Sequence, residues 1–127
     1  MNIFGIGTDI VSVDRIKNSL KNKKFIRRIF NEKEILKCKK NNNSINCYAK
    51  RFAAKEAFSK ALGTGISNGI NFNEIVVLNK KSGKPYISII GQTKKIFKKK
   101  FKRKKSKISL SLSDEKKYAV AFVTISL

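Results

Sequence analysis

After an opening strand, the apolar positions of this chain recur at helical spacing as far as residue 62, and most of the later positions alternate in the manner of strands. Asn2 to Val11 predicts a strand rich in β-branched residues, in which Gly5 and Gly7 permit close approach of another backbone. Ser12 has the character of an N-cap, with Asp14 in the first turn, for a helix from Val13 to about Leu20. Two short helical pieces come next, Lys24 to Phe30 and Asn31 to Lys39, the second capped by Asn31. Lys40 to Ser44 is a polar loop, and a long helix runs from about Ile45 to Leu62 with Gly63 closing its C-terminal end. Glu74 to Leu78 and Pro85 to Ile90 predict a hairpin around Asn79–Gly83. Thr93 is placed to cap a basic helix reaching about Arg103. Ile108 to Ser113 puts Ile108, Leu110 and Leu112 on one face and serines on the other. A turn over 114–117 leads into the last strand, Tyr118 to Ile125. With no repeat and no linker, the elements predict a single α+β domain, a mostly antiparallel sheet packed on one long helix.

Composition narrows the class. A chain of 127 residues with 41% apolar content forms one domain with a packed core. No apolar run approaches the ~20 residues of a membrane span, and no basic stretch precedes an apolar one at the N-terminus. A cytoplasmic protein is expected. Cys38 and Cys47, nine positions apart, match no metal or redox spacing and are expected as reduced thiols. There is no histidine, so any metal must be held by oxygens, which points to Mg²⁺ or a similar hard cation. The net charge of +22 invites an acidic partner, yet Lys, Asn, Ile and Phe all have AT-rich codons, and codon drift accounts for the same excess.

Candidate chemistry centres on the run from Arg51 to Ile66. On a helix, Phe52, Glu56, Ser59, Lys60 and Gly63 share one face, and Ala53, Ala54, Ala57, Phe58 and Ala61 share another. The alanine side suits close packing on a sheet. The other side, running into Gly63-Thr64-Gly65, suits an anionic phosphate ligand with a metal. Asp9 shares a strand face with Gly5 and Gly7, free of bulk. Singly, each residue has a plain reading: Asp9 as a turn or capping residue, Glu56 as a solvated partner of Lys60 at i+4, the glycines as a helix stop. Together, Asp9 and Glu56 can hold one Mg²⁺ that keeps waters and takes phosphate oxygens, with Lys60 as a point charge on a diphosphate. Lys84-Pro85 reads as an ordinary hairpin or as a ligand contact. The basic segment 94–107 reads as a nucleic-acid helix, a membrane-surface helix, or a surface helix whose Ile96, Phe97 and Phe101 face its own sheet; the last is preferred.

Gly5-Ile-Gly-Thr-Asp-Ile10, Arg51-Phe-Ala-Ala-Lys-Glu-Ala57 with Lys60-Ala-Leu-Gly-Thr-Gly-Ile66, and the closing Leu110–Ala121 segment resemble, in order, the motifs of the holo-acyl-carrier-protein synthases. These are the short, single-domain 4'-phosphopantetheinyl transferases. The resemblance implies that fold, transfer of phosphopantetheine from coenzyme A to a serine of apo acyl carrier protein with release of 3',5'-ADP, and a part in fatty acid synthesis. It implies Asp9 and Glu56 as Mg²⁺ ligands and catalytic residues, and Ser59, Lys60, Gly63, Thr64, Gly65, Lys84 and Pro85 around coenzyme A. Arg15, joined by Arg27 and Arg28, would meet the acidic carrier, and the family's typical homotrimer would place active sites between subunits. Asp114 stands where some members carry histidine, so an imidazole base at that position does not apply. The base is then Glu56, directly or through a water, or a water ordered by the metal and Asp9. A small basic nucleic-acid-binding protein is the rival reading; it leaves Asp9 and Glu56 without a purpose.

Overall fold

A computed structural model describes residues 2–63, 69–102 and 104–127. In chain order the elements are β1 (Ile3–Ser12), α1 (Val13–Ser19), α2 (Lys23–Ile29), α3 (Glu32–Lys40) and α4 (Ser44–Leu62), then a 3-10 turn (Phe72–Glu74), β2 (Ile75–Asn79), β3 (Pro85–Ile89), α5 (Gly91–Phe101), β4 (Lys107–Asp114) and β5 (Tyr118–Ser126). The expected strands and helices are present, all pairings are antiparallel, and the class is α+β. Among the described residues the strands split into two sheets, β1-β5-β4 and β2-β3, and four shorter helices accompany the long one.

Helix α4 is the axis of the molecule. Ala53, Ala54, Ala57 and Phe58 are fully buried, and the helix packs on β1, β5, α3 and α1. The strand glycines set how closely. A Cβ on Gly5 would overlap the Ala61 carbonyl oxygen and one on Gly7 that of Ala57, so strand and helix touch backbone to backbone. Gly63 ends the helix in the left-handed region (φ 83°), its N–H donating to the Ser59 and Lys60 carbonyls.

Two sequence expectations change. Thr93 does not cap α5: it lies inside the first turn, buried, and the helix N-terminus is held from another element by the Glu74 carboxylate. That carboxylate accepts from Gln92 N (3.0 Å), Thr93 N (3.1 Å) and Thr93 Oγ1 (2.8 Å). Burial alone raises the Glu74 carboxyl's pKa, but the hydrogen bonds from Asn71, Thr93 and Gln92 together leave it below the usual range. Cys38 and Cys47 are not free thiols: they form a disulfide joining α3 to α4 inside the core, because the helical stripes that bury each of them face one another. The basic helix turns its apolar side inward as expected, with Phe97 and Phe101 buried and Ile96 partly so, but Phe97 rests on Phe58 of α4 and Phe101 meets Phe4 of β1 edge-on.

Candidate active site

Asp9 lies two positions beyond Gly7 on the same face of β1, level with Ala121 of β5. Gly5 meets Ala61 and Gly7 meets Ala57, so the next inward residue, Asp9, reaches the α4 turn that carries Glu56. The two carboxyls interact. Partial burial raises the pKa of each, and the charge of Asp9 raises that of Glu56 further, against the lowering effect of Lys60 and Arg15. Lys60 Nζ lies 3.3 Å from Asp9 Oδ1 and donates to the Thr8 carbonyl oxygen at 2.9 Å. The i+4 pairing expected between Glu56 and Lys60 is replaced by this bond across to the strand, since the β1 backbone lies within the lysine's reach. A pair of mutually repelling carboxylates with hard oxygen donors suits a divalent cation, and no third acidic or sulfur ligand stands with them among the described residues.

Glu56 also lines a cavity of about 430 Å³ between α2, α4 and the segment before β2, walled by Phe25, Arg28, Phe52, Ile70 and Phe72. Arg28 thus joins the site, and Arg15 stands near enough to act on both carboxyls. Arg27 lines a separate hollow with Glu74 and Ile90. Ser59 turns inward rather than sharing the exposed face of Lys60, and its hydroxyl has no hydrogen-bond partner among the described residues. Thr64 and Gly65 lie outside the described residues. Lys84 and Pro85 sit where the hairpin turn enters β3, and neither is among the residues lining the cavity at Glu56. Their turn is tied to α4 at Arg51, through Asn79. Asp114 accepts from Asn46 (2.7 Å) and pairs with Lys50 (3.5 Å), which fastens the last hairpin to the start of α4.

Sequence reasoning missed one feature of the site's surroundings. Lys55, next to Glu56, is fully buried and bonded to Glu34, which is buried as well. The signal was present, since Arg51, Lys55, Phe58 and Leu62 form a stripe at i, i+4, i+7 and i+11 that is buried throughout.

The profile of the 4'-phosphopantetheinyl transferase superfamily matches residues 5–123. The chain belongs to that superfamily. It is 54% identical over 125 residues to the holo-[acyl-carrier-protein] synthase of Pelagibacter ubique, an alignment covering 98% of both chains. Among solved structures of the superfamily, the holo-[acyl-carrier-protein] synthase of Neisseria meningitidis superposes with a TM-score of 0.86 at 38% identity, covering 98% of this chain and 99% of the other. The Bacillus anthracis synthase, solved in complex with coenzyme A (3',5'-ADP), gives 0.79 at 37% identity, covering 98% and 97%.

Proposed function

We propose that this protein transfers 4'-phosphopantetheine from coenzyme A to a serine of apo acyl carrier protein and releases 3',5'-ADP, so supplying carriers for fatty acid synthesis in the cytoplasm. The observation that carries the reading is the repelling Asp9–Glu56 pair beside Lys60, with Glu56 lining a largely apolar cavity, in a chain similar along its whole length to holo-acyl-carrier-protein synthases. Asp9 and Glu56 are the residues that would hold Mg²⁺, which when bound offsets charge on a diphosphate.

The chain's own groups do the rest. Lys60 supplies a positive point charge to the diphosphate, and Gly63, which closes α4 three residues on, lines the coenzyme A. The carrier serine oxygen attacks the phosphorus bearing pantetheine, the bond from that phosphorus to the bridging oxygen breaks, and 3',5'-ADP leaves with the electron pair. Glu56 receives the serine proton, directly or through one water, and its raised pKa suits it to that task. Arg28, which lines the cavity, and Arg15, whose charge reaches both carboxyls, meet the acidic carrier, with Arg27 on the same helix as Arg28.

A homotrimer fits one further observation. The outer face of the β1-β5-β4 sheet exposes Ile6, Ile10, Tyr118 and Phe122, large apolar side chains that a soluble monomer rarely leaves uncovered together on one face. In such an assembly Lys84 and Pro85 would serve a neighbour's coenzyme A rather than their own. The inward turn of Phe97 and Phe101 leaves the basic helix without exposed rings on which single-stranded bases could stack, which weighs against the nucleic-acid reading. The test is mass spectrometry of an apo carrier incubated with this protein, coenzyme A and Mg²⁺. A gain equal to the phosphopantetheine arm is expected, and an unchanged carrier would overturn the reading.

A further inference from the structure

The Lys55 ammonium is spent completely. It donates to Glu34 Oε1 (2.7 Å), the Phe72 carbonyl (2.8 Å) and the Ile75 carbonyl (2.5 Å), which uses all three of its protons. Glu34 is equally occupied: Oε1 also accepts from Asn31 N (2.9 Å) and Oε2 from Val77 N (3.1 Å). Both side chains are fully buried. Burial lowers the ammonium's pKa to about 8, Glu34 offsetting part of the effect.

A buried ion pair is a poor device for stability alone, because apolar side chains of similar volume commonly hold a core at least as well. Its value lies in fixing geometry, and here the fixed geometry belongs to the candidate site. Lys55 precedes Glu56 on α4, and its ammonium grips the backbone at Phe72 and Ile75. The cavity at Glu56 has Phe52 and Glu56 of α4 on one side and Ile70 and Phe72 on the other. The ammonium therefore spans the two walls from behind. We infer that Lys55, held by Glu34, is a positioning residue that sets the separation between Glu56 and the Phe72 wall, and thereby aligns the reacting groups during transfer.

This inference rests on the transferase reading, so the experiment separates the two. Wild type, Lys55→Met and Glu34→Gln, each first checked as folded by circular dichroism, are compared for kcat, for KM of coenzyme A and for calorimetric affinity toward 3',5'-ADP. The expected result is a kcat at least tenfold lower in both variants, with KM and 3',5'-ADP affinity within about threefold of wild type, since Lys60 and Asp9 lie on the opposite side of α4 from this network. Wild-type kcat in a folded variant, or a parallel loss of nucleotide affinity, would overturn it. If Lys55→Met does not fold, Glu34→Gln, which keeps the ammonium and an acceptor oxygen, decides alone by the same criterion. A wild-type protein that neither transfers nor binds 3',5'-ADP would instead remove the transferase reading itself.

Discussion

Lys60 Nζ bonds Asp9 across the helix–strand joint, 3.3 Å from Oδ1, and leaves Glu56, one turn back on its own helix, without an ion-pair partner among the described residues. One cation thus serves two carboxyls, by contact with the first and through space with the second. Replacing it tests that division. In Lys60→Met both carboxyls lose a charge that lowers their pKa, so the acid limb of the kcat/KM profile moves to higher pH. KM for coenzyme A should rise about tenfold, the loss of roughly 1.4 kcal/mol at a charged contact.

The carboxylate pair works against the fold that holds it. Both folded pKa values lie above their unfolded ones, so the stabilising form is the protonated one. That contribution is present below the unfolded carboxylate range and is lost as pH rises through the raised values. At neutral pH, Asp9→Asn and Glu56→Gln should each melt higher than wild type. Solvent reaches both groups, so the gain is small, about 2 °C. Transfer should vanish in both, and added Mg²⁺ should raise the wild-type melting temperature and neither variant's.

Gly7→Ala places a methyl group on the Ala57 carbonyl oxygen. Strand and helix must then separate, which costs about 3 kcal/mol or more. Chemical denaturation should show that loss, and any folded remainder should transfer poorly because Asp9 has moved away from Glu56.

The disulfide between Cys38 and Cys47 closes a short loop between α3 and α4. Reduction should lower the unfolding free energy by about 2–3 kcal/mol. Thermal melts with and without dithiothreitol, paired with thiol counting on the native and reduced protein, measure it.

If Arg15 and Arg28 dock an acidic carrier, KM for the carrier should rise with ionic strength while KM for coenzyme A changes less. Equal salt dependence of the two would remove the arginines from carrier docking and leave the surface lysines to codon drift.

Much of the site was legible in the order of residues. Two glycines and an aspartate at alternate strand positions, with an alanine face on a helix, imply a close joint with Asp9 at its edge, and the joint is there. The inward turn of Ser59 was not legible, and that of Lys55 was legible only as a position in the stripe from Arg51 to Leu62, without its partner. A polar residue beside an alanine face reads as solvated until its partner is known, and Glu34 comes from a helix 21 positions earlier. The Glu74 brace on α5 was hidden for the same reason, since Thr93 looks like a local cap when the acceptor lies 19 residues away. The division into two sheets depends on which strand edges meet, which alternation along one strand does not specify.

Where Gly5 and Gly7 meet α4, backbone lies against backbone. The gap between Asp9 and Glu56 is therefore gauged in main-chain atoms, whose dimensions are the same whatever the composition around them. A chain with 30 Lys and Arg against 8 acids can gain or shed surface cations over generations, and the calibre of the seat between its two carboxylates stays constant.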